Sequence, residues 1–136
     1  MKTIKVYLSC IIFITLILQN CSSDYTENLG NDYFYRNEGG IIKDILCKKA
    51  NGGEIPATVI EYNYNNDFII AKQKPKLPQD PLYDKTYKYN LGENVLYYWL
   101  IDKENQIVYG PLNIEEFNKV KVKLKVPNEL KLTENK

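Results

Sequence analysis

Asp80 and Asp84, four residues apart in "QDPLYDK", are the two acids best placed for carboxylate hydrolysis, if the fold brings them together beside a cleft. Cys47 in "DILCKK" is the other candidate for chemistry, because Lys48 and Lys49 could lower its pKa and make it a nucleophile. It has no histidine to act as base, since the chain contains none, and after Ile45 and Leu46 it reads better as a small buried hydrophobe. The same absence removes Ser-His-Asp and Cys-His catalysis and histidine-based zinc sites. The sequence has no phosphate-binding glycine loop, no dinucleotide fingerprint and no Asp-x-Asp-x-Asp-Gly calcium loop. Adjacent acids such as Glu115 and Glu116 look like helix-start chemistry. The expectation is therefore a protein that is not an enzyme, with no catalytic residue, metal ligand or cofactor.

The remaining chemistry lies at the N-terminus. Lys2 and Lys5 precede an apolar stretch from Val6 to Leu18, broken only by Ser9 and Thr15, and then "QNC" gives way to the polar "SSD". A basic start followed by a short apolar run has the form of a secretory signal peptide, and the run is too short for a bilayer span of about 20 residues. Small residues of the Ala-x-Ala type are missing at its end. In their place Leu18-Gln19-Asn20-Cys21 resembles a bacterial lipobox, with Asn20 where Gly, Ala or Ser is usual. Cys21 is the expected lipidation site, its sulfur carrying a diacylglyceryl group. Cys10 is a weaker candidate because the apolar run continues past it. Each buried methylene contributes about 0.8 kcal/mol and two or more acyl chains make a stable anchor, so the expected partner is a membrane held through lipid. Residues 1–20 are then a removed signal, and residues 21–30, "CSSDYTENLG", read as a flexible tether.

Cleavage leaves 116 residues, enough for one domain, here expected over 31–132 with a frayed end at 133–136. Lys2 and Lys5 leave with the signal, so 16 basic residues face 17 acidic ones and the net charge is −1. Nothing in that balance points to nucleic acid. With Cys21 acylated, Cys47 has no partner, so no disulfide framework is expected and the core must hold the fold unaided.

Period and punctuation place the elements. "DYFYR" (32–36) alternates as a strand and ends at "NEGG". "IIKDILCKK" (41–49) is ambiguous: Ile41, Ile42, Ile45 and Leu46 also fit one helical face, but its length and the "NGG" turn at 51–53 favour a strand and hairpin. "IPATVIEYNYN" and "DFIIAKQK" form a hairpin through Asn65 and Asn66, with Ile60, Tyr62 and Tyr64 on one face of its first strand. Phe68 to Ala71 is apolar on both faces, as in a strand covered on each side. Residues 74–94 carry Pro75, Pro78 and Pro81 and little apolar material beyond Leu82 and tyrosines; they read as a long surface loop and the first place to look for binding. Val95 to Ile101 and Ile107 to Tyr109 form a second hairpin around "DKENQ", with Trp99, the single tryptophan, as a core anchor whose indole N–H needs a partner.

A helix follows. Asn113 is its cap, Glu116 completes a capping box, and Leu112 can staple onto Phe117. Ile114, Phe117, Val120 and Leu124 form its packing face, and Val126-Pro127 ends it. Lys119, Lys121, Lys123 and Lys125 spread around the circumference, which fits a solvated surface better than a lipid-binding patch. Eleven of the 12 tyrosines survive cleavage; half-buried strand positions account for them more simply than a stacking platform for sugars or proteins.

The combination of "DFIIAKQK" (67–74), "YYWLID" (97–102), "VYGPLNIEEF" (108–117) and "VPNELKL" (126–132) resembles a family of small bacterial lipoproteins built on one domain of unknown function. That resemblance implies a single extracytoplasmic, lipid-anchored domain and carries no catalytic residue across. The expected fold is α+β: a twisted, mostly antiparallel sheet of about six strands with the C-terminal helix packed on one face. The expected role is a membrane-anchored binding or interaction module at the cell envelope, with a protein or glycan partner. An immunity or inhibitor protein that neutralises a toxin or enzyme is the alternative, and a carboxylate-based hydrolase comes third.

Overall fold

The chain is described by a computed structural model covering residues 24–50 and 52–133. Seven strands and one helix follow in order: β1 (Tyr25–Gly30), β2 (Tyr33–Asn37), β3 (Lys43–Cys47), β4 (Val59–Tyr64), β5 (Phe68–Gln73), β6 (Tyr97–Asp102), β7 (Ile107–Leu112) and α1 (Ile114–Lys123). The strands make two antiparallel sheets, β1-β2-β3 and β4-β5-β6-β7, rather than the single sheet expected. The chain turns back at Gly52 and Gly53 and changes sheet between Ile55 and Val59. It leaves β3 after one bridge, Ile45 to Ile55, instead of completing a hairpin. Room for side chains is absent at the glycine turn: a methyl group on Gly52 would lie 2.1 Å from Cys47 Sγ, and one on Gly53 would lie 2.5 Å from Val108 Cγ2.

The molecule is layered as small sheet, large sheet and helix. One core lies between the sheets and contains Leu29, Tyr33, Tyr35 and Ile45 from the first and Val59, Ile69, Ala71, Trp99 and Ile101 from the second. The other lies beneath α1, where Ile70 and Leu100 meet Phe117, Val126 and Leu130. Sandwiching the large sheet between these layers explains why Phe68 to Ala71 and the β6 run are apolar on both faces. Trp99 is fully buried, and its indole N–H donates to Gln73 Oε1 at 2.7 Å.

Three other expectations change, and one ambiguity is resolved. Residues 25–30, read as tether, form β1, which pairs along β2 and buries Leu29, so the folded body begins at Tyr25. The ambiguous "IIKDILCKK" segment is a strand over Lys43–Cys47, the alternative that its length favoured. A bulge between Val59 and Glu61 resets the alternation of β4, so that Val59 and Tyr62 pack on the inter-sheet core while Ile60 is exposed. The helix has its capping box, with Glu116 N donating to Asn113 Oδ1 at 2.9 Å and Asn113 N to Glu116 Oε2 at 3.0 Å. Its packing face is narrower than expected, because Phe117 is buried whereas Ile114 is exposed.

A candidate ligand groove beside the three-stranded sheet

The outward face of β2 and β3 is built by alternation: Tyr33, Tyr35 and Ile45 point into the core, which leaves Phe34, Arg36, Asp44 and Leu46 on the opposite side. Residues 75–85 fold back across this face. Between the two lies a groove of about 570 Å³ with Phe34, Ile42, Leu46 and Leu82 among its apolar lining and Arg36, Glu54, Asp80 and Tyr83 among its polar lining. It is large enough for a small organic molecule or the side chains of a peptide segment.

Its far wall is fixed by one buried polar cluster. Asp44 is fully buried, and Arg36, directly opposite it across the β2–β3 ladder, grips both carboxylate oxygens: Nε donates to Oδ1 at 3.0 Å and Nη2 to Oδ2 at 2.7 Å. Tyr83 reaches the same carboxylate from the loop, its hydroxyl donating to Oδ2 at 2.7 Å and accepting from Ala57 N at 3.0 Å. Three donors on one buried anion satisfy it, as a buried charge requires. The Asp44 carboxylate raises the Arg36 guanidinium above its already high pKa, chiefly through the hydrogen bonds. Tyr83 is pushed well above the ordinary phenol value, first by burial and then by its bond to Asp44.

Two more tyrosines of the same segment plug the open side of the sandwich. Tyr87 meets Trp99 edge to face with ring centroids 4.9 Å apart and donates to Glu54 O at 3.2 Å. The Tyr89 hydroxyl bonds Gln73 Nε2 at 3.0 Å. The long loop expected on the surface is therefore tied to the core by its aromatic rings and hydroxyls.

Asp80 lies on the groove, but Asp84 lines a separate depression with Ala50, Gly53, Glu54 and Lys85, and both acids are exposed. The fold thus does not bring that pair to one cavity. Cys47 is half-buried, packs against the inter-sheet core and also borders the groove. The residue that sequence reasoning missed is Glu54: it borders both depressions, is buried, and accepts from Lys85 N at 3.4 Å. Burial, only partly offset by backbone donors from Lys85 and Asp84, raises its pKa. Arg36 and Asp44 were missed as well, although a charge pair at facing positions of an "YFYRN…KDILC" hairpin is a signal that the ladder register would have exposed.

Cys21, Cys10, the signal segment 1–20 and residues 134–136 lie outside the described residues. Among the described residues, no helix is long and apolar enough to cross a membrane, and no group of three or more acidic, cysteine or histidine side chains could hold a metal ion.

Comparison with known proteins found no match among curated proteins and none among solved structures. Residues 31–136 match a family described as Protein of unknown function (DUF3997), and the chain belongs to that family.

Proposed function

We propose that the chain is a lipid-anchored binding module of the bacterial envelope, tethered through Cys21, with the groove beside the three-stranded sheet as its ligand seat. One observation carries the binding half of this reading. The wall of the groove is held by Tyr83, Asp44 and Arg36 in a bonded cluster, so the cavity is present before any ligand arrives. The lining offers fixed donors and acceptors over an apolar floor, which is how binding sites orient a ligand. The anchoring half rests on the lipobox-like "LQNC" and on the apolar run before it.

Both halves are testable in intact cells. A photo-crosslinking residue replaces Leu82, which stands 89% exposed on the groove rim, and in a second strain Val122, which is 80% exposed on α1. The expected result is a discrete crosslinked species from position 82 and none from 122; identical patterns, or none at either position, refute the groove as the seat. For the anchor, wild type incorporates labelled fatty acid and Cys21→Ala does not. Label retained by the variant refutes acylation at that sulfur.

A further inference from the structure

Among the described residues the buried anions are satisfied by hydrogen-bond donors: Asp44 is gripped by Arg36, Asp102 accepts from Asn105 N at 3.0 Å and Nδ2 at 2.8 Å, and Glu54 accepts from the Lys85 amide. The two buried lysines differ, because Lys72 pairs with Glu61 at 2.9 Å and Lys103 has no such carboxylate. Lys103 is 3% exposed, its Nζ donates to Leu29 O at 2.6 Å, and the Tyr64 ring lies 5.7 Å away, but among the described residues no carboxylate stands within ion-pair distance. The acids around it are otherwise placed. Glu27 accepts the hydroxyls of Tyr62 and Tyr64, Asp32 pairs with Lys49 at 3.1 Å, Asp102 is held by Asn105, and the Asp67 side chain is exposed. A desolvated ammonium with one carbonyl partner is costly unless a further acceptor reaches it.

Such an acceptor has a place to sit. Lys103 lines a depression of about 340 Å³ at the end of the sandwich, between the β1–β2 turn and the β4–β5 turn, together with Asn28, Asn31, Asn65 and Asn66. Two of these amides have their oxygens committed to the backbone. Asn28 Oδ1 accepts from Gly30 N at 2.9 Å, and Asn65 Oδ1 accepts from Asp67 N at 2.9 Å and Phe68 N at 2.8 Å. Each amide therefore offers its nitrogen, a donor, to whatever binds.

We propose that this depression is an oxyanion-binding site, in which the Lys103 ammonium supplies the charge and the asparagine amides supply neutral donors. The ligand chemistry is a carboxylate or a phosphate group. The site shares no lining residue with the groove and does not depend on it. Burial lowers the Lys103 pKa and the Asp67 carboxylate, beyond ion-pair distance, offsets this only in part; a bound anion would act in the same direction as Asp67.

The test is titration of the full-length chain, solubilised in neutral detergent, with inorganic phosphate and separately with acetate, against sodium chloride at matched ionic strength. Amide resonances of residues 28–31 and 64–67 report binding. Saturable shifts with phosphate, acetate or both, at least about tenfold stronger than with chloride, support the site, and the anion that works identifies the ligand chemistry. In Lys103→Met the saturable response is lost. Asn31→Asp places a negative charge on the rim at an exposed position with φ of 49°, which aspartate adopts readily, and it weakens binding while leaving Lys103 in place, so the test survives if the Met variant fails to fold. Linear, unsaturable shifts with both anions, or saturable shifts that persist unchanged in a folded variant, overturn the proposal.

Discussion

Tyr83→Phe removes one oxygen atom and tests whether the groove wall is held as described. That oxygen makes two bonds. It donates to Asp44 Oδ2 at 2.7 Å and accepts from Ala57 N at 3.0 Å, and Ala57 is 7% exposed. Asp44 keeps both bonds to Arg36, so it loses one donor of three, but it is fully buried and the bond it loses is charge-assisted. Ala57 borders the groove, so water can replace part of what its amide loses, and a buried group deprived of its hydrogen bond costs roughly 1–3 kcal/mol. The two contributions come to about 2 kcal/mol. In urea unfolding this lowers the midpoint by roughly 1–2 M at unchanged slope, given slopes of about 1–3 kcal/mol/M for small domains. If the loop opens locally before the domain unfolds, the same energy appears as roughly thirtyfold faster hydrogen exchange at the Ala57 amide. A stability loss below about 0.5 kcal/mol, together with unaltered exchange at Ala57, would show that the hydroxyl does not pin the wall and that the groove is not preformed.

The other predictions probe the core, the tyrosines and the first strand. Gly110→Ala would place a methyl group 2.2 Å from Trp99 Cε3, against a buried ring with no room to move, and overpacking of this kind costs about 3 kcal/mol, seen as a melting temperature lower by roughly 10 °C; an unchanged melting temperature would contradict the Gly110–Trp99 contact. Burial pushes Tyr35 and Tyr87 up to about 12 and Tyr33, Tyr62 and Tyr83 higher still. Their folded-state values lie above the unfolded value of 10.0, so the stability they contribute is complete below pH 10 and is lost as pH rises through 12. Phenolate absorbance from these five tyrosines is expected above the ordinary phenol value and together with unfolding; ionisation of every tyrosine in one phase at that ordinary value refutes their burial. Deleting residues 25–29 removes β1 and the buried Leu29 and is expected to abolish the cooperative thermal transition, whereas deleting 22–24 leaves it intact; a fold that survives the larger deletion would restore the tether reading.

What was legible in the sequence was whatever local chemistry decides. The capping box at Asn113 and Glu116, the two hairpins around Asn65–Asn66 and "DKENQ", and the need of Trp99 for a hydrogen-bond partner depend on neighbours a few residues away or on one side chain's own polarity. The two-sheet arrangement was hidden because a doubly apolar strand says that it is covered on both sides without saying by what: for Ile69 and Ile70 the covers are the first sheet and the helix. β1 was hidden because "YTENLG" buries only Leu29, with its remaining positions exposed or half-buried at a sheet edge, so it carries little hydrophobic period. The groove was half legible. The proline-rich segment was singled out, but its partners Arg36, Asp44 and Ala57 lie 26 to 47 residues away, and only the fold brings them to Tyr83.

The early start of β1 bears on how an anchored domain would stand on a bilayer. Four residue steps separate Cys21 from Tyr25, and an extended chain covers at most about 14 Å in that distance, where a tether running to residue 30 would have allowed about twice as much. Acylation at Cys21 would therefore hold the start of β1 close to the lipid surface. Tyr25 pairs with Asn37, which is followed by Glu38 on the groove, so this end of the small sheet and one end of the groove would lie near the anchor. The other end of β1, at Gly30, leads into the Lys103 depression, about 17 Å further along the strand. One ligand seat would then work within reach of the lipid surface and the other away from it. The separation follows from the six residues of a strand that the sequence had disguised as linker.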